Sequence, residues 1–119
     1  MSKVLIVEDD AFLQGIMATK LSKEGFVIVT ADSAEEGKNK LEESPDIIIL
    51  DLLLPEGDGF QVMEVMREKG MKTPVIVFSN LNTEKDFKRA QEFDMMREYM
   101  VKSNFTLEEL IEKMHAILG

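Results

Sequence analysis

The sequence predicts an α/β protein built on a doubly wound, five-stranded parallel sheet with five helices. Three observations carry this. Short, nearly continuous runs of β-branched and aliphatic residues recur along the chain, as expected for parallel strands covered on both faces. Amphipathic stretches with helix-start signals separate them. The length of 119 residues suits one domain, residues 1–119, with a single sheet at its centre.

The elements follow in order. "KVLIV" (Lys3 to Val7) is the first strand, and Phe12, Ile16 and Leu21 mark an apolar stripe on the first helix. "FVIVTA" (Phe26 to Ala31) is the second strand. Ser33 and Glu36 form an S-x-x-E capping box that opens a second helix running to about Glu43, before Pro45. "DIIIL" (Asp46 to Leu50) is the third strand. Asp58 with Gln61 resembles a similar cap for a third helix that ends near Gly70. "PVIVFS" (Pro74 to Ser79) is the fourth strand, and a helix with Phe87 and Ala90 starts near Asn82 or Thr83. "REYMVK" (Arg97 to Lys102) is a weaker fifth strand whose mixed polarity suits a sheet edge. Thr106 with Glu109 opens the last helix, with Leu107, Leu110, Ile111, Met114 and Leu118 inward. Five β–α units joined by right-handed crossovers give the doubly wound sheet.

Composition narrows the function. The chain has no Cys, which excludes disulfides and thiolate metal sites. A net charge of −9, with Lys and Arg scattered, disfavours direct contact with nucleic acid. The apolar runs are far too short for a membrane span, and no signal peptide precedes "VEDD"; a cytoplasmic protein without membrane attachment is expected.

Seven of the eight residues from Ile47 to Leu54 are large aliphatics, and the eighth is Asp51. A carboxylate at the mouth of an apolar core costs several kcal/mol unless compensated. In open α/β sheets, ligands sit beyond the carboxyl ends of the strands. Glu8, Asp9 and Asp10 end the first strand, Asp51 the third, Ser79 and Asn80 the fourth, and Lys102 the fifth. Three acids crowded together raise one another's pKa unless a cation joins them. Mg²⁺ fits such hard oxygen ligands, and Lys102 supplies further positive charge. The alternative for Asp51 alone is a cap on the next turn.

Together "VEDD", "DLLLPEGDG", "FSN" and "YMVKS", with their spacing, resemble the receiver domain of two-component response regulators over essentially the whole chain. The resemblance implies a flavodoxin-like receiver fold with strand order 2-1-3-4-5. It implies phosphoryl transfer from a sensor histidine kinase or histidine phosphotransfer protein to Asp51, with Mg²⁺ as cofactor. Asp9 is then a direct metal ligand and Glu8 acts mainly through water, while Asp51 and the Leu53 carbonyl complete the set. Ser79 and Lys102 contact the phosphoryl group. Pro55 and Gly59 shape the loop, and Tyr99 is the switch aromatic that rotates inward when Ser79 moves. The output is an unknown downstream protein bound at the face of helix four, strand five and helix five, which holds Phe87, Arg97 and Tyr99. The chain is then a monomer or a phosphorylation-linked homodimer. It is a signalling domain rather than an enzyme, and no output domain is expected after the last helix.

Four departures stand out. The family usually has Lys-Pro with a cis bond at strand five, whereas Ser103 follows Lys102, where a cis bond would cost about 3–4 kcal/mol. "EFDMMREY" lacks the usual Gly, so a left-handed non-Gly residue is expected before strand five. Asn80 replaces a smaller residue, either as a donor near the phosphoryl group or as a loop cap. Leu53 and Leu81 flank the route of hydrolytic water, and both are apolar.

Other residues have plainer readings. Asp10 caps the first helix or touches metal. Met95, Met96 and Met100 fill the core or offer an adaptable surface, and Tyr99 could be simple edge packing. His115 is read as an idle surface residue with no acid arranged about it. Two rivals to the receiver reading stay open. One is a binding module of this fold that never carries phosphate. The other is a phosphatase with an aspartyl-phosphate intermediate, although Leu53 stands where its general acid would be.

Overall fold

A computed structural model describes residues 1–119. The strands are β1 (Lys3–Val7), β2 (Val27–Ala31), β3 (Ile47–Leu50), β4 (Val75–Ser79) and β5 (Met96–Val101). The helices are α1 (Ala11–Lys23), α2 (Ala34–Lys40), α3 (Phe60–Glu68), α4 (Glu84–Gln91) and α5 (Leu107–Leu118). Short 3₁₀ segments follow α2 (Leu41–Glu43) and β5 (Lys102–Asn104). All strand pairs are parallel, in the order β2-β1-β3-β4-β5. This is the predicted five-stranded doubly wound fold.

The central strands are apolar throughout because both of their faces are covered. Alternate residues therefore enter two cores. Leu5, Val7, Ile48, Leu50, Val75 and Val77 pack with Phe60, Val62, Met63 and Met66 of α3. Val4, Ile6, Ile47, Ile49, Ile76 and Phe78 pack with Met17 and Leu21 of α1 and with Leu110, Ile111 and Met114 of α5. Each fully buried side chain of this kind is worth roughly 1.5–3 kcal/mol. β5 lies at an edge, as its mixed polarity predicted.

Several local expectations change. Of the expected stripe on α1 only Leu21 is buried: Phe12 is 79% exposed and Ile16 40%, and Leu13 and Met17 join Leu21 against the sheet. Two apolar rows lie one residue apart there, and only the row spaced i, i+4, i+8 meets the core. Asp58 does not cap α3. Gly59 is the N-cap, and its own backbone is needed there because a Cβ would lie 2.3 Å from the Asp51 carbonyl. No left-handed residue precedes β5; the non-Gly residues with positive φ are Ser44 and Glu56. The turn is instead closed by successive N–H groups of Phe93 and Met96, which donate to Ala90 and Phe93. Ser33, Thr83 and Thr106 are the N-caps expected, but only Thr106 with Glu109 completes a reciprocal capping box; at Ser33 the hydroxyl accepts from the Glu36 N–H and the return bond is not made.

Candidate functional site

The carboxyl ends of β1, β3, β4 and β5 bring Glu8, Asp9, Asp51, Ser79 and Lys102 together. Asp51 directly follows β3 and is only 4% exposed. Its Oδ1 accepts from the Ser79 hydroxyl at 2.6 Å and from the Leu53 N–H at 3.0 Å. Its Oδ2 accepts from the Lys102 ammonium at 2.6 Å. The same ammonium lies 2.6 Å from Glu8 Oε1. One cation thus serves two buried acids, and all peptide bonds, including Lys102–Ser103, are trans.

Burial dictates the electrostatics. Loss of solvent pushes the Glu8 carboxyl above the ordinary value, against the opposing hydrogen bonds from Lys102 and the Asp10 N–H. Burial disfavours the Lys102 charge too, but hydrogen bonds to Asp51 and Glu8 outweigh it and raise that pKa. Carboxylate oxygens of Glu8, Asp9 and Asp51 lie within 4.8 Å of one another. Three hard oxygen donors with one ammonium among them leave a site short of positive charge, and this donor set fits Mg²⁺. Asp9 is exposed and open to an ion from solvent, whereas Glu8 is engaged by Lys102 and the Asp10 N–H. Asp10 itself caps α1 by accepting from the Leu13 N–H.

A chain of hydrogen bonds leads away from Asp51. Ser79 Oγ donates to Asp51 and accepts from the Leu81 N–H at 3.2 Å. The Leu81 carbonyl accepts from the Tyr99 hydroxyl. Tyr99 is half-buried, and its ring meets Phe87 of α4 edge-on with centroids 5.5 Å apart. Burial first, then the charges of Asp86 and Asp51, raise its pKa. Tyr99 therefore already points to the loop after β4, and Ser79 already touches Asp51.

Sequence reasoning missed other contacts. Gln14 donates through Nε2 to the carbonyls of Glu8 and Ala31, holding the ends of β1 and β2. Of the two readings of Asn80 the loop cap is the one observed, its Oδ1 accepting from the Ser103 N–H at 3.2 Å; only the partner was not foreseen. His115 is stacked on Phe26 and has an acid beside it after all, with Nε2 3.3 Å from Glu24 Oε1. These partners are too distant in sequence to leave a local signal. Met95 and Met100 are core residues. Two grooves of about 680 Å³ lie away from Glu8, Asp9 and Asp51: one between α3 and α4, the other along α1 beside Phe12 and Ile16.

The fold and this constellation define a class, and comparison with known proteins agrees. The chain belongs to the response regulator receiver domain family, whose model matches residues 4–115. It is 37% identical over 117 residues to a probable transcriptional regulator, ycf27, of Guillardia theta, covering 98% of this chain and 45% of that protein. It is 36% identical over 118 residues to the cell cycle response regulator CtrA of Brucella ovis, covering 98% and 50%. The chain thus spans about half the length of these curated relatives. A DNA-binding response regulator of the LuxR family from Staphylococcus aureus superposes with a TM-score of 0.90 at 25% identity, covering all of both chains. The non-phosphorylated HemR receiver domain of Leptospira biflexa shares the fold with a TM-score of 0.91 at 24% identity, covering 100% of this chain and 95% of that one. The molecule is therefore a receiver domain of two-component systems, a signalling module. No helix is long and apolar enough to cross a membrane.

Proposed function

We propose that Asp51 accepts a phosphoryl group and that the chain relays this event by changing what it binds. The observation that carries the reading is the Asp51 carboxylate: buried, held at 2.6 Å by Ser79 on one oxygen and by Lys102 on the other, beside Glu8 and Asp9. In this reading an Asp51 oxygen attacks the phosphorus of a phosphohistidine in a kinase or phosphotransfer protein. The P–O bond forms as the P–N bond breaks, and the imidazole leaves with the bonding pair. Lys102 and Ser79 then turn their donors from the carboxylate to the phosphoryl oxygens, where charge gathers.

Asp9, Asp51 and the Leu53 carbonyl would hold Mg²⁺. Glu8, tied to Lys102, would contribute mainly its charge. The bound ion would neutralise charge shared between acceptor and phosphoryl oxygens. The relay from Ser79 through Leu81 to Tyr99 supports an output at the face formed by α4, β5 and α5. A downstream protein or a second copy of the chain would bind there. The relatives' descriptions as a transcriptional regulator and a cell cycle response regulator fit such an output.

The test is to weigh the protein after incubation with Mg²⁺ and a small acyl phosphate. One phosphoryl group on Asp51, absent from Asp51→Ala, is the expected result. No gain in mass would leave a binding module that never carries phosphate, and rapid multiple turnover would indicate a phosphatase.

A further inference from the structure

The last residue of β4, Ser79, and the first residue after β5, Lys102, carry the two side chains that grip Asp51, and a bond outside the pocket joins the loops that follow. Ser79 lies opposite Val101 at the last rung of the β4–β5 ladder, so the main-chain pairing ends where Asn80 and Lys102 begin. Past that point the Asn80 side chain reaches across and accepts the Ser103 N–H at 3.2 Å. Ser103 sits in the 3₁₀ segment Lys102–Asn104, preceded by Val101, which provides no side-chain cap. The leading N–H groups of such a segment have no partner within it. Asn80 therefore supplies the missing acceptor from the neighbouring loop, 23 residues back in the chain.

We propose that the Asn80–Ser103 bond is a clasp that positions Lys102 for phosphoryl transfer; this rests on the reading of Asp51 as the acceptor. Lys102 has a long side chain with much rotamer freedom to lose, yet its ammonium lies 2.6 Å from both Glu8 and Asp51. Fixing the main chain at the next residue limits where that side chain can start. The clasp also ties the residue after Lys102 to the residue after Ser79, which limits how far the two donors can drift apart. Only the main-chain N–H of residue 103 is used. Asn at position 80 and a residue other than Pro at position 103 therefore belong together, because Pro has no N–H to offer.

The test measures the rate of phosphoryl gain from a small acyl phosphate, by mass, in the full chain with Mg²⁺. Asn80→Ala and Ser103→Pro are each expected to slow the gain by about threefold to tenfold, the size of one net hydrogen bond. Combining them is expected to slow it no further than the worse single change. Ser103→Ala keeps the N–H and is expected to restore the unaltered rate. If Ser103→Pro does not fold, Asn80→Ala still decides, with the Ser103 amide-proton NMR shift showing that the bond has gone. A double variant whose loss is the product of the two single losses overturns the clasp. So does an Asn80→Ala protein that reacts as fast as the unaltered one, or a Ser103→Ala protein as slow as Ser103→Pro. An unaltered protein that gains no phosphoryl mass overturns the acceptor reading, and the clasp with it; a failed clasp alone leaves the unaltered protein reactive.

Discussion

The pocket at the ends of β1, β3, β4 and β5 and the flank made by α4 are held in opposite ways. In the pocket Glu8, Asp51 and Ser79 are all at most 4% exposed, and each has a polar partner at 2.6 Å. α4 buries only Ala90. Arg89 of α4 lies 4.0 Å from the Phe60 ring centroid, and Phe60 stacks on Phe93, which Arg67 covers from α3. α4 is thus held by guanidinium stacking and partly exposed ion pairs to Asp58 and Glu64. α5, on the other side of β5, buries Leu110, Ile111 and Met114 and has a full capping box. The candidate site thus lies among buried, fully partnered side chains, and the neighbouring helix is left with few apolar anchors.

The largest expected effect breaks the pocket side of this contrast. Asp9→Ala should weaken Mg²⁺ by at least about a hundredfold, since even outer-sphere partners cost up to that much, while the fold survives. A metal titration followed by NMR checks it; an unchanged affinity removes Asp9 from the ligand set. Next comes the rim. Leu53 is 50% exposed, and Leu81 is partly buried against the core under α3 and α4. Neither side chain offers an acceptor to an attacking water, so a long-lived phosphorylated form is expected. Leu53→Asn combined with Leu81→Glu should speed its loss by at least about tenfold, or about 1.4 kcal/mol in the barrier. The decay of phosphorylated mass after donor removal measures this, and decay within seconds in the unaltered protein contradicts it.

Legibility from sequence divides along the same line. The pocket was readable because each of these strands delivers its candidate site residue just past its last apolar residue, and a strand's end is a local signal. Glu8, Asp51, Ser79 and Lys102 needed only strand boundaries and the parallel topology to converge. Contacts between elements were not readable. Phe12 and Ile16 have helical spacing as good as that of Leu13 and Met17, and only the sheet's position decides between the rows. Asp58 with Gln61 has the spacing of a cap, but the close approach of Gly59 to Asp51 sets the start of α3 instead. The Asn80–Ser103 bond involves a main-chain group that carries no sequence signal of its own.

Two smaller effects sharpen the contrast. Amide exchange should be faster in α4 than in α5 by a few-fold to about tenfold, following the difference in buried side chains; equal protection would show that the arginine stacks hold α4 as firmly as an apolar face. Tyr99 reports on the flank in isolation, being the one Tyr in a chain without Trp. Its pKa is raised in the folded state, mainly by burial. Its contribution to stability is therefore fully present below the unfolded value of about 10 and is lost as pH rises through the higher folded value. Alkaline absorbance titration should give a midpoint above that of the unfolded chain. Saturating the pocket with Mg²⁺ and acyl phosphate should move the midpoint. A midpoint that stays fixed would mean that pocket and flank are uncoupled.

The path from Asp51 to Tyr99 crosses residue 81 entirely through its main chain: the N–H receives no help from the Leu side chain, and neither does the carbonyl. Any residue with an N–H can therefore carry the path, and only Pro would cut it. On the proposed function, the side chain at position 81 would be free of transmission and open to variation that suits a fast or a slow pathway. If Asp51 accepts a phosphoryl group as proposed, duration of the signal and fidelity of its delivery would be set separately at one position, one by the side chain of residue 81 and the other by its main chain.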